Sequence, residues 1–334
     1  MKDNSITFVI PFFNEKDYIE QTLNSIDRQN LKNIHLEVLL YNGKSNDHSE
    51  EVVKNFIQSS KDRKIKYRLL ENPFKKTPFA FNLGIKLGTG EYIGFGGAHT
   101  EYPPDYFQNA MNLFSQIQAD VVGGGFTDYV PDNDTPLGHA IACLYKTPIG
   151  SGVAKYHRLR KPAYVDTVYG GFYRREIFSS IGGFNTALKK NQDNEFNARV
   201  TAGGFKIYFD PILSTEYIIK TKFTTFCSRA YSFGNYHLET WRTNIRSFRF
   251  RHAIPGIFVI YIIVNAIMYY SNLHKAIMLI PAFIYLSLLL INSFYFSNKK
   301  GLAVGILTIP VNFIFHLCYG MGTLLGAFKK RSSQ

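Results

Sequence analysis

The chain predicts an α/β domain on a mostly parallel sheet, followed by a C-terminal region of apolar helices. Two observations carry this expectation. Short β-rich runs alternate with helical patterns from Ile6 to Phe95, at the spacing of successive βαβ units. Charge then nearly vanishes late in the chain, where residues 253–327 hold only Lys275 and the Lys299-Lys300 pair. A length of 334 residues leaves room for one large domain or two ordinary ones. The uneven charge suits a soluble domain joined to membrane segments.

Residues 6–10 form the first strand, ended by Pro11. After Asn14-Glu15 a helix follows, with Ile19, Leu23 and Ile26 at spacings of four and three. Residues 36–40 are a second strand. It runs into a polar turn, residues 41–49, that leads into a helix over residues 50–57. A strand at 65–70, a helix at 78–87 and a strand at 92–95 continue the alternation. In such sheets ligands sit beyond the carboxyl ends of the strands. That places candidate binding residues in loops 12–15, 42–49 and 96–100.

The formal net charge is +13. Basic residues crowd positions 155–161 and 242–251. The second cluster adjoins the first apolar segment, so anionic lipid headgroups are the expected partner. No nucleic-acid-binding motif is visible, and nucleic acid is not an expected partner. Cys143, Cys227 and Cys318 lie far apart without metal-ligand spacing and read as reduced thiols. Met1-Lys2-Asp3-Asn4-Ser5 leads directly into the first strand with no signal peptide read ahead of it, which places the soluble part in the cytoplasm.

The loops carry a resemblance. Pro11-Phe12-Phe13-Asn14-Glu15 matches a Pro-x-x-Asn-Glu opening, and Asn42-Gly43-Lys44-Ser45-Asn46-Asp47 matches an Asp-Gly-x-Ser-x-Asp turn. Gly97-Ala98-His99-Thr100-Glu101-Tyr102-Pro103-Pro104-Asp105-Tyr106 is similar to an Asp-Ala-His…Tyr-Pro-Pro-Asp-Tyr metal motif. The stretch from Val165 to Arg175, the stretch from Gly182 to Arg199 with its Asn191-Gln192-Asp193-Asn194-Glu195 run, and the His316–Gly322 element follow in order. Together they resemble a family 2 glycosyltransferase of GT-A fold, in its succinoglycan- and exopolysaccharide-biosynthesis branch.

The resemblance implies a site. Pro11, Phe13, Glu15, Asn42, Asp47, Gly97 and His99 would receive the nucleotide-sugar, with His99 facing the diphosphate and ligating a divalent cation (Mn2+ or Mg2+). Lys75, Lys76 or the basic segment at 155–160 would share in neutralising charge. Asp193 would be the general base, and in-line attack implies inversion at the anomeric centre. Asp166, Gly170, Gly171, Glu195 and Arg229 would lie on the acceptor side. Arg229, Tyr231 and Trp241 also fit an interfacial helix over residues 224–241. Asn42, Gly97 and Gln192 each stand where the family carries a carboxylate. Asp193 and Glu195 equally suit a plain helix start, and residues 42–49 a plain capped turn.

The expected organisation is a GT-A domain over 1–222, basic interfacial linker helices over 223–252, a membrane region over 253–328 and a basic tail at 329–334. Apolar stretches fall near 254–270, 276–296 and 302–328. The second and third are long enough to span a bilayer and the first is marginal. Basic residues on both flanks leave three readings of the third stretch: it is re-entrant, it folds back at Pro310 or Gly320, or it spans fully and breaks the charge rule. The implied protein sits in the inner membrane with its catalytic domain in the cytoplasm. It would act on a polyprenyl-linked glycan in exopolysaccharide or capsule biosynthesis, beside other polysaccharide-assembly proteins. The alternative, raised by the missing acids, is a nucleotide- or glycan-binding scaffold.

Overall fold

A computed structural model describes residues 4–59, 64–130, 134–147, 149–150, 159, 161–188, 192–243, 250–271 and 276–328. Most of the two basic clusters, the tail at 329–334 and Asn191 lie outside these. Contacts divide the chain into two compact units, Met1–Thr127 with Lys155–Ile218, and Asp128–Ala154 with Ile219–Gln334.

The first unit opens with β1 (Ser5–Phe12), α1 (Ile19–Asp27), β2 (His35–Asn42), α2 (Ser49–Ser59), β3 (Lys66–Glu71), α3 (Thr77–Leu87) and β4 (Tyr92–Phe95). It continues with β5 (Thr100–Glu101), α4 (Tyr106–Gln116) and β6 (Val121–Gly124). β7 (Phe126–Tyr129) and α5 (Pro136–Leu144) lead toward the second unit. After these come β8 (Ala163–Val165), β9 (Tyr169–Arg174), α6 (Arg175–Ile181), α7 (Gln192–Ala202), β10 (Ile207–Phe209) and β11 (Thr215–Ile218). The main sheet runs β3-β2-β1-β4-β9-β6-β10-β8, and a small sheet runs β5-β11-β7. β1 pairs in parallel with β2 and β4, whereas β9 runs antiparallel between β4 and β6.

Both faces of β1 are covered. Ile6, Phe8 and Ile10 enter one apolar cluster with Tyr106 and Phe107, and Val9 enters the other with Phe81, Ile93 and Phe196. That is the period of two expected of a central strand buried on both sides. α3 lies close on β1 because Gly84 has no side chain: a Cβ there would meet Val9 Cγ2 at 2.4 Å. The opposite end of the sheet is tied by buried Glu37, which accepts from Thr7 Oγ1 at 2.6 Å and Thr89 Oγ1 at 3.0 Å.

The second unit holds α5, α8 (Phe223–Thr243), α9 (Ile254–Tyr270), α10 (Ile280–Lys300) and α11 (Leu302–Phe328). α11 is its centre, and the other four helices pack on it. Glycines set this closeness: a Cβ at Gly320 would meet Pro255 O at 2.1 Å, and one at Gly322 would meet Tyr231 O at 2.0 Å. α11 runs unbroken through Pro310 and Gly320, so of those three readings the fold-back is not formed. Gly320 is a packing surface, and Pro310 is tolerated inside the helix. α10 and α11 are long and apolar enough to cross a membrane, and the 17-residue α9 is shorter. Large apolar side chains stand exposed along them, among them Phe283, Ile291, Phe294 and Leu302. In water such a surface would drive association, and in a bilayer it is the ordinary state.

His316 on α11 is held on both ring nitrogens. Nε2 lies 3.0 Å from Gly150 O, which can only accept, so Nδ1 receives the Tyr285 hydroxyl at 2.8 Å.

Candidate active site

A cavity of about 420 Å³ opens in the first unit, at the carboxyl ends of β1, β3 and β4. This is the size of a small-molecule site. Its wall includes Pro11, Phe13 and Glu15 after β1, and Asn72, Lys75 and Thr77 after β3. Gly97 and His99 after β4, Gly170 and Gly171 of β9, and Gln192 and Asp193 of α7 complete it, with Tyr169, Tyr173 and Tyr217. Much of the expected set therefore meets in one place.

The loops after β1 and β2 are stitched together atom by atom. Asn14 N donates to Ser45 Oγ at 3.1 Å, Glu15 N to Ser49 Oγ at 2.8 Å, and Lys16 N to Asp47 Oδ2 at 3.1 Å. In return Asn46 N donates to Asn14 Oδ1 at 2.9 Å. Asp47 also accepts from the Ser49 amide at 3.0 Å and from the Ser49 hydroxyl. Burial works against its charge, but these donors outweigh it and hold the carboxyl below its usual range. Asn42 is buried, donates to Glu50 Oε2 at 2.6 Å and accepts from Ser45 N at 2.9 Å. Asn42 and Asp47 thus brace the loop that delivers Gly43 to the cavity and do not themselves line it.

Glu15 is buried, with Oε1 3.2 Å from His99 Nδ1. The His99 ring also meets Tyr217 edge-on at 4.7 Å between centroids. Burial opposes protonation of His99, but the Tyr217 hydroxyl and the Glu15 carboxylate favour it and prevail, so its pKa is raised. At Gly97 a Cβ would lie 2.8 Å from Thr100 Oγ1 and 3.2 Å from Tyr169 OH. Those two hydroxyls are 3.2 Å apart and fill the place where an acid would point. Among the described residues no group of three or more His, Cys, Asp or Glu side chains is placed to hold a metal ion.

Asp193 lies in the first turn of α7. Its side chain is accessible, and the access is into the cavity, whose walls displace bulk water. Desolvation accordingly raises its pKa, against the pull of the Asn194 amide. The helix beneath it is locked. Arg199 forks onto Glu195 at 2.8 and 3.0 Å and reaches Ile181 O at 2.9 Å and Gly183 O at 2.7 Å. One turn beyond Asp193, Asn197 accepts from Tyr173 OH at 2.8 Å and donates to Thr167 Oγ1 at 2.9 Å. Glu195 is buried in the Arg199 pair and is not part of the cavity lining. Gly170 lines the cavity with φ +59°, its carbonyl accepting from Tyr106 OH at 2.9 Å.

Asp166 precedes β9 and is not part of the lining. Arg229 belongs to the second unit, where its guanidinium lies 5.9 Å from the Tyr145 ring centroid and 5.7 Å from that of Phe233. Asn72, Thr77, Tyr169 and Tyr217 were not singled out by sequence. Asn72 and Thr77 had one readable signal, their place after the carboxyl end of a parallel strand; Tyr217 had none.

A sequence profile described as Glycosyl transferase family 2 matches residues 7–182. A Methanococcus voltae protein is 28% identical over 236 residues, covering 69% of this chain and 72% of that one. It is named as a dolichyl N-acetyl-alpha-D-glucosaminyl phosphate 3-beta-D-2,3-diacetamido-2,3-dideoxy-beta-D-glucuronosyltransferase. The succinoglycan biosynthesis protein ExoA of Rhizobium meliloti is 23% identical over 264 residues, covering 77% of this chain and 74% of its own. Among solved structures, the mannosyltransferase PcManGT of Pyrobaculum calidifontis, in complex with GDP-Man and Mn2+, superposes with a TM-score of 0.61 at 16% identity. That likeness covers 92% of this chain and 86% of PcManGT, and it is one of fold. With the family profile spanning more than half of its length, on a GT-A sheet whose carboxyl-end loops build the cavity, this chain belongs to glycosyl transferase family 2.

Proposed function

We propose that this glycosyltransferase moves a sugar from a nucleotide-sugar to a lipid-linked glycan at the cytoplasmic face of the cell membrane, inverting the anomeric carbon. The product would enter exopolysaccharide or capsule assembly. One observation carries the chemistry: Asp193 shares a cavity with Glu15 and His99, and desolvation raises its pKa from the ordinary carboxylate value, the direction that suits a general base. The acceptor hydroxyl passes its proton to the Asp193 carboxylate. Its oxygen bonds to the anomeric carbon as the bond to the diphosphate breaks, and the diphosphate leaves with the electron pair. Gly170 and Gly171 leave backbone bare enough for a sugar to approach. The dolichyl phosphate in the name of the Methanococcus voltae relative and the exposed apolar helices support a lipid-linked acceptor.

The family implies a divalent cation, and the PcManGT complex holds Mn2+. Among the described residues the donor set does not fit a resident ion. Gly97 supplies no ligand, its neighbouring space holds two hydroxyls, and the His99 imidazole is turned to Glu15. One imidazole and one carboxylate make a weak site.

The test is Asp193→Asn with a panel of nucleotide-sugars and a polyprenyl-phosphate-linked sugar, products read by mass spectrometry. Loss of transfer with nucleotide binding retained is expected. Unimpaired transfer would remove Asp193 as the base, and nucleotide binding by the wild type without any turnover would return the scaffold reading.

A further inference from the structure

Among the described residues the cavity lining carries two carboxylates, Glu15 and Asp193, one imidazole, His99, and one ammonium, Lys75. A nucleotide-sugar brings a doubly charged diphosphate into this setting, and its departure adds charge. The Gly97 position offers no acid to recruit a metal there. His99 is already engaged with Glu15. That leaves Lys75.

Its surroundings are built. Lys75 has φ +59°, a left-handed conformation that glycine or asparagine would take at less cost. The turn is held by Lys75 N donating to Asn72 O at 3.1 Å. Asn72 is buried, itself lines the cavity, and donates through Nδ2 to Lys76 O at 3.0 Å. The Asn72 amide donates in turn to Asn42 O at 2.9 Å, tying this loop to β2. Asn72 Oδ1 has no hydrogen-bond partner in this arrangement. Lys76 is turned elsewhere, its ammonium 5.9 Å from the Phe79 ring centroid. Lys75 forms no ion pair with a described residue. Two residues on, Thr77 begins the 11-residue helix α3 and lines the same cavity, so the positive end of a helix dipole adds to the ammonium.

We propose that Lys75, with Thr77 at the start of α3, forms an anion subsite for the diphosphate of the donor, so that the counter-charge comes from the protein rather than from a resident divalent cation. The assignment rests on the donor reading above. As the sugar's bond to the diphosphate breaks, the Lys75 ammonium faces the growing negative charge, and no proton need move.

The test is calorimetry on the full chain in detergent, with UDP, GDP, uridine and guanosine, in EDTA and in Mn2+. The diphosphate that the wild type binds should keep its affinity in EDTA to within about threefold and lose it steadily with added salt. Lys75→Gln should weaken that diphosphate by roughly tenfold or more, as expected for a lost charge-assisted contact. It should leave the matching nucleoside unchanged, and Lys75→Arg should restore binding. The residue is exposed, so an unchanged thermal transition in the variants keeps the comparison clean. Loss of affinity in EDTA, wild-type binding by Lys75→Gln, or an equal loss for the nucleoside would each overturn the subsite. If the wild type binds neither diphosphate in either condition, the donor reading itself fails, and the subsite with it.

Discussion

Glu15 Oε1 and His99 Nδ1 face each other at 3.2 Å, joining the loop after β1 to the loop after β4. Tyr217 and Glu15 together raise the pKa of the imidazole against the pull of burial. In Glu15→Gln the His99 pKa should fall from its raised value toward or below the ordinary 6.5, since burial then acts with less opposition. An NMR titration of the imidazole checks this; an unmoved midpoint would assign the shift to Tyr217. Linkage gives a second readout. A raised histidine pKa lends stability that is full below 6.5 and is lost as pH rises through the folded value, so Glu15→Gln should destabilise the protein more under mildly acid conditions than at high pH.

Asp193 should make catalysis and stability pull apart. As a base with a raised pKa it requires kcat/KM to climb with pH through a midpoint above the ordinary 3.8. The same shift means that its contribution to stability is present at low pH and is lost as pH rises through the folded pKa. Asp193→Asn removes a poorly solvated charge, so at neutral pH the variant should unfold at a higher temperature than the wild type while transferring no sugar. A lower melting temperature would make Asp193 a structural anchor.

Arg199 holds α7, the helix that carries Asp193, from below. Arg199→Ala strips four hydrogen bonds and leaves Glu195 buried with its charge unmatched. The pair is part-exposed on the arginine side, so the expected cost lies between the exposed and buried cases, about 2–3 kcal/mol. Chemical unfolding measures it. Arg199→Lys should recover little, because an ammonium cannot reproduce the fork.

In the second unit, Gly320→Ala should cost about 1–3 kcal/mol by forcing α9 away from α11, given a Cβ 2.1 Å from Pro255 O. Thermal unfolding in detergent reads the change. An alanine at Met321, which is exposed, is the control and should be near neutral.

The alternating half of the sheet was readable because β1, β2 and β4 are apolar-rich runs and β3 alternates Tyr67 and Leu69 with Lys66 and Arg68, all set off by polar turns. β9 was not, since a strand that fills a gap between β4 and β6 in reverse has no local mark of its direction. β5 has two residues and β11 four, too few to show a period. A fold-back in α11 was one of the readings that the basic residues on its two flanks left open; the helix runs unbroken because neighbouring helices pack on Gly320 and Pro310 is tolerated inside it. At the candidate site, the motifs named Glu15, His99 and Asp193, and the structure places all three on the cavity wall. The motifs also named Asn42 and Asp47, whose side chains brace the neighbouring loop and do not line the cavity, a placement that depends on contacts between loops distant from each other in sequence. The cavity's tyrosines come from distant strands and are ordinary β residues until folded.

The reversed strand β9 has a consequence for the order of synthesis. Emerging from the ribosome, the chain completes the loops at 12–15, 42–49 and 72–77 long before residues 169–174 arrive to bridge β4 and β6, and α7 comes later still. A nascent polypeptide thus holds Glu15, Lys75 and Thr77 of the cavity wall while still lacking Asp193, the carboxylate that the reading above makes the base. On the reading proposed above, the order of translation would keep an activated sugar from being hydrolysed before the fold closes.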